Sequence, residues 1–192
     1  NQVETAKTII LSRSQKLSED KLAEALAMIR QLNEHATIVT TPWDDINGKQ
    51  ILEAMEIKNS FAEELLKDEG ICPVCGHHHD DDDDECDHDH EHHHDHHGHH
   101  HADEVFTSVG FETVRKYTTD EIREILSALG DEARFGYILR SKGIVPAADG
   151  WIHFDYVPEE SDVRMGSADV TGKICVIGSK INESELAKLF KI

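Results

Sequence analysis

The stretch "CPVCGHHHDDDDDECDHDHEHHHDHHGHHH", residues 72–101, concentrates the side chains able to do chemistry. It holds three of the chain's four cysteines, 13 of its 15 histidines and ten carboxylates, with no Lys or Arg. Cys72 and Cys75 stand at C-x-x-C spacing, which lets both thiolates reach one tetrahedral ion. Pro73 fixes the backbone between them, and Gly76 permits the positive φ that turns the chain back toward a metal. His77, His78 and His79 follow at once, and Cys86 adds a third thiolate. Beyond these, His88, His90, His92, His93, His94, His96, His97, His99, His100 and His101 keep no fixed spacing. Imidazole suits Zn²⁺, Ni²⁺, Co²⁺ and Cu²⁺, whereas carboxylates alone would suit Mg²⁺ or Ca²⁺; the mixture favours the first group. The run offers many overlapping ligand sets and no preorganised site. Ordering chain costs about 1–2 kcal/mol per residue, so each set binds weakly and exchangeably. That suits collection and hand-over better than a structural ion. The carboxylates raise the local cation concentration and favour protonated His, so protons compete with metal as the pH falls. His35 and His153 stand alone in regular structure and read as surface or core residues, and Cys175, in "KICVIG", reads as a small packed hydrophobe.

The charge balance agrees with a cation as partner. The chain of 192 residues has a formal charge of −20, half of it in residues 72–101. Nucleic acid and anionic membranes attract basic surfaces, so both are excluded as partners. No apolar run approaches the roughly 18 residues of a membrane span, and no signal-peptide pattern opens the chain. Few, unevenly placed cysteines fit a reducing cytoplasm better than a disulfide framework.

The elements that must position the tract fall on either side of it. Residues 1–57 alternate in type. "TIIL" (8–11) reads as a short buried strand. Ser18 caps a helix whose first turn carries Glu19 and Asp20 and whose apolar face is Leu22, Leu26, Ile29 and Leu32. "ATIVTT" (36–41) is a second strand and "NGKQILEAMEI" (47–57) a second helix. This β-α-β-α rhythm is that of a parallel sheet with crossover helices. Two strands do not make a stable α/β domain, and the chain opens on Asn1 rather than Met, so the N-terminal part of this domain is expected to be missing. Residues 58–102 join an amphipathic piece, "SFAEELLKDEG", to the tract, and read as a disordered, low-complexity linker.

Residues 103–192 read as an α+β domain with a mainly antiparallel sheet. "EVFTSVGFETV", "FGYILRSKGIV", "WIHFDYVP", "DVRMG" and "KICVIG" are the strands, and alternation puts Ile152, Phe154 and Tyr156 on one side. Thr118 and Glu121 form a capping box for a helix carrying Ile122, Ile125, Leu126 and Leu129, with Gly130 at its end. Asn182 and Glu185 cap a last helix, "ESELAKLF".

The flanking regions resemble the CobW-type metal-chaperone GTPases. "NQVETAKTIILSRSQKLSED" and "RQLNEHATIVTT" resemble the end of that family's nucleotide domain. "FTSVGFETVRKYTTDEIREIL", "LRSKGIVPAADGWIHFDYVP" and "GKICVIG" resemble its C-terminal domain, and a His-rich linker is typical of it. The resemblance implies the last β-α units of a P-loop-type α/β nucleotide domain at 1–57, a metal-binding linker at 58–102 and the CobW C-terminal α+β domain at 103–192. It implies a GTP-dependent metallochaperone that collects Zn²⁺, Co²⁺ or Ni²⁺ and delivers it to a client metalloprotein, with GTP and Mg²⁺ as cofactors of the complete protein. Two departures stand out. The motif G-x-x-x-x-G-K-[ST] is absent: Gly48-Lys49 precedes Gln50 and Gly172-Lys173 precedes Ile174. The family's base-reading Asn-Lys-x-Asp aligns with Ser12, Arg13, Ser14 and Gln15. Gln15 offers one acceptor and one donor where a carboxylate offers two acceptors, so guanine cannot be paired in the same way. Arg13 retains a planar guanidinium able to stack on a base. A cytoplasmic metal buffer without nucleotide dependence is the alternative reading.

Overall fold

The computed structural model describes residues 2–12, 14–42, 44–56, 65 and 106–192. Among them, no helix is long and apolar enough to cross a membrane. A short helix α1 (Gln2–Thr5) leads into β1 (Thr8–Ile10), a 3-10 turn (Ser14–Lys16), α2 (Glu19–Leu32), β2 (Thr37–Val39) and α3 (Gly48–Glu56). After residue 106 come β3 (Thr107–Thr113), α4 (Thr119–Ala128), α5 (Glu132–Phe135), β4 (Tyr137–Ala147), β5 (Gly150–Val157), β6 (Glu160–Gly166), β7 (Gly172–Ser179) and α6 (Glu183–Phe190).

β1 and β2 pair in parallel, Ile9 opposite Ile38, with α2 as the connection. Leu26 and Ile38 are buried with Ile9, Leu22 and Ile29 around them, and Val114 closes the cluster from the far half of the chain. Two local expectations need correcting. β1 is only half-buried, Ile10 being 38% exposed, because β2 is its one neighbour among the described residues. Leu32 is 51% exposed and stands outside the cluster that Leu22, Leu26 and Ile29 of the same helix join. Ser18 has the extended backbone of an N-cap but its side chain makes no capping bond. Asn47 does cap: its Oδ1 accepts from the Lys49 and Gln50 amides, and Gln50 Oε1 accepts from the Asn47 amide. This is a reciprocal box that the sequence reading missed.

The second half is α+β, built on a five-stranded antiparallel sheet in the order β3-β7-β4-β5-β6. β7 sits between β3 and β4 with both faces covered, which is why "KICVIG" reads as continuously apolar. Ile174 and Val176 face the helices; Cys175 and Ile177 face the other way. Ile152, Phe154 and Tyr156 of β5 join the helix side with Ile122, Leu126, Leu186 and Phe190, as the alternation requires. Phe154 stacks on Phe190 with centroids 6.3 Å apart. Gly143 lies opposite both Phe154 and Ile174, and a Cβ there would fall 2.4 Å from the Phe154 ring. The missing side chain is therefore the room that the ring occupies. Thr118 caps α4 by accepting from the Glu121 amide. The return half of the box is not made: the Glu121 carboxylate takes Arg115 and Lys191 instead. The hydrogen bond from Arg115, with that from Lys191, holds Glu121 below the usual carboxylate range. Asn182 caps α6 through the Glu185 amide.

Candidate functional site

Cys72, Cys75, Cys86 and the thirteen histidines from His77 to His101 lie outside the described residues, as does Arg13. The structure shows the scaffold from which they extend. Leu65, seven residues before Cys72, is helical and 1% exposed. It packs with Cys175 and Ile177 of β7, and with Phe106 and Leu139, on the sheet face opposite α4 and α6. Cys175 is 1% exposed and its thiol is pushed up to about 12 by burial, so it is a packed hydrophobe and not a ligand.

Ser12 and Gln15 follow the C-terminal end of β1, where open α/β sheets bind their ligands. Both are exposed, and Ser14 between them is 5% exposed. The 3-10 turn thus directs Ser12 and Gln15 outward and Ser14 inward. Neither Gly-Lys pair forms a phosphate-binding loop. Gly48-Lys49 begins α3, and Gly172-Lys173 lies within β7, where Lys173 pairs with Asp169 at 2.8 Å. The phosphates and Mg²⁺ of a bound nucleotide therefore find no cradle among the described residues.

The structure also reveals a seam. Arg30, at the end of α2, donates Nε to Glu112 of β3 at 2.7 Å and Nη2 to its other oxygen at 2.5 Å. Its Nη1 reaches the Glu34 and Ala36 carbonyls at 3.0 and 2.8 Å. The amides of Thr40 and Thr41 both donate to the Val170 carbonyl, and Gln50 Nε2 donates to Ala168. Asn33 ties α1 to β2: Nδ2 donates to Val3 and Ala6, while Oδ1 accepts from His35 and Ala36. The sequence carried no signal for Arg30, Asn33 or Gln50 as junction residues, because their partners lie up to 118 positions away. A cleft of about 590 Å³ opens along this seam, and both histidines outside the tract, His35 and His153, line it. His153 Nε2 is 2.8 Å from the Ser167 carbonyl. Among the described residues no three His, Cys, Asp or Glu side chains come close enough to hold a metal.

Residues 106–191 match the family described as the cobalamin synthesis protein cobW C-terminal domain. The chain is CobW-like over that segment. No curated protein matches the chain. Among solved structures, it is similar to the Zn(II)-bound YjiA GTPase from E. coli and to a Zn(II)-bound triple mutant of YjiA. Each likeness has a TM-score of 0.39 at 16% identity and covers 99% of this chain. The chain spans about half, 52%, of the length of each.

Proposed function

Starting from a chain that carries a cobW C-terminal domain, we propose that it is the metal-collecting portion of a CobW-like, GTP-dependent metallochaperone of the cytoplasm. The observation that carries this reading is the Cys/His tract at 72–101, directly ahead of the matched domain at 106–191. Cys72 and Cys75, with His77–His79 and Cys86, form the tighter site, and the later histidines collect Zn²⁺, Co²⁺ or Ni²⁺ as cargo for a client metalloprotein. Residues 1–57 act as the last β-α units of the nucleotide domain, 58–102 as the linker and 103–192 as the C-terminal domain. Ser12, Arg13 and Gln15 would meet the base of GTP. The alternative reading is a cytoplasmic metal buffer without nucleotide dependence. It separates from the first because a buffer's metal affinity is indifferent to GTP.

Calorimetric titration with Zn²⁺, Co²⁺ and Ni²⁺ tests the cargo reading. More than one equivalent per chain is expected, and none after deletion of residues 72–101. Thiolates hold such ions more firmly than single imidazoles on an unordered chain, so the first Co²⁺ equivalent should show thiolate charge-transfer absorption. That band should vanish in Cys72→Ser/Cys75→Ser. Persistence of the band, or of full binding after the deletion, contradicts the reading. The chain as it stands is expected to release no phosphate from GTP, since none of its 192 residues forms a G-x-x-x-x-G-K-[ST] loop. Reproducible phosphate release by the purified chain would refute that expectation.

A further inference from the structure

α2 and β3 face each other across a groove of about 860 Å³. One wall is a single stripe of α2: Glu19, Asp20, Ala23, Leu26, Ala27 and Arg30 recur at intervals of three and four along the helix. The other wall is residues 110–115 in unbroken succession. Successive residues of a strand point to opposite faces, so a groove lined by all of them runs along the strand's edge. β3 offers such an edge: it ends the sheet, with β7 on one side and no strand on the other among the described residues. Gly110 leaves the edge open, since nothing lies within 4 Å of its Cβ position. The two walls match in length. Glu19 to Arg30 covers about 16 Å of helix, and residues 110–115 cover about 17 Å of extended chain.

The charges along the groove are unequally matched. Arg30 is taken by Glu112, while Arg115 and Lys191, which also line the groove, both donate to Glu121. Glu19, Asp20 and Glu34 line it with no cationic side chain paired to them among the described residues. Arg115 has a buried Nη1 with no acceptor among the described residues.

We propose that this groove takes an extended, lysine- or arginine-bearing segment of a partner protein, which adds to β3 as a sixth strand. Its backbone pairs with the free edge of β3, its apolar side chains lie over Phe111 and the alanines of α2, and its cations meet Glu19, Asp20 and Glu34. A peptide carbonyl is the acceptor that Arg115 lacks. The Arg30–Glu112 bridge crosses from wall to wall, and a cation of the guest replaces Arg30 there. Both partners of the bridge are more than a quarter exposed, so exchanging one cation for another is nearly neutral.

The probe is a fluorescein-labelled hexapeptide of alternating lysine and valine, titrated into the metal-free full chain and followed by anisotropy. Saturable binding is expected. Ala27→Trp, which fills the groove from an exposed position, should weaken it at least tenfold, and so should Glu19→Lys/Asp20→Lys. Glu124→Lys/Asp149→Lys makes the same change of charge on exposed residues away from the groove and should stay within twofold of the parent. Methylation of every second peptide amide, in one register or the other, should cost at least tenfold, because a paired strand needs those donors. Equal binding by the parent and Ala27→Trp assigns the peptide to the acidic tract and overturns the proposal. An absence of saturable binding, or an equal loss in both lysine pairs, overturns it as well. Indifference to methylation in both registers overturns the added strand. Should Ala27→Trp lose its cooperative thermal transition, the two lysine pairs decide.

Discussion

Gly136→Ala should lower the melting temperature of the C-terminal half by at least about 8 °C. Gly136 ends α5 with φ 85 and ψ 178, a backbone conformation open almost only to glycine. An added Cβ would stand 2.3 Å from the Lys180 carbonyl oxygen and 2.8 Å from that of Ser179. Both obstacles are backbone, and they cannot swing aside: the Asn182 amide donates to the Phe135 carbonyl and holds the two segments together. Phe135 and Ile138, on either side, are buried in the main core. Strain at such a residue costs about 1–3 kcal/mol and overpacking about 1–3 kcal/mol more. At roughly 4–8 °C per kcal/mol for a domain of about 90 residues, the sum amounts to about 8 °C or more. Gly110→Ala is the control, because nothing lies within 4 Å of its Cβ position in the same sheet. Thermal circular dichroism decides. If the two variants melt within a couple of degrees of the parent, the close approach at Gly136 is relaxed in solution.

The two halves should behave as opposites when separated. Residues 103–192 are expected to melt in one cooperative transition that EDTA leaves unchanged, and residues 1–57 to be largely unfolded. The main core draws all its residues from Phe111 onward, from Tyr117 through Phe154 to Phe190. The Tyr117 hydroxyl donates to the Phe190 carbonyl at 2.7 Å and joins the start of that core to its end. No metal-ligand set lies among the described residues of this part. The first half has two paired strands, too few for independent stability. Its small cluster depends on Val114, and Arg30, Thr40, Thr41 and Gln50 spend their bonds on the second half. Met28, Leu52 and Met55 remain more than half exposed. The 103–192 fragment should also melt below the full chain, because it lacks the Leu65 cover over Cys175 and Ile177. A fragment 103–192 that folds only with Zn²⁺ would reveal a structural metal within it. A cooperative transition in 1–57 would show that the seam is not what holds that half together.

Local signals carried the sequence reading furthest where they were densest. The caps at Thr118 and Asn182 were legible because a capping oxygen and the amide it meets are three residues apart. The inward set Ile152, Phe154 and Tyr156 was legible because a strand alternates with a period of two. The same logic misplaced Leu32, since periodicity finds a helix face but not how far the neighbouring strands reach along it. It also gave Glu121 a capping bond that two cations, Arg115 and Lys191, take from it.

By itself, the sequence determined the alternation of elements and the antiparallel character of the second half. Both reside in residue type and short-range spacing. Only the tertiary structure decided that β7 lies between β3 and β4, that Arg30 closes on Glu112 and that Leu65 and Phe106 meet over one patch. Those pairings join residues tens of positions apart. Their energy comes from burial and hydrogen bonding that exist only once the sheet has assembled, so no window of the chain contains them.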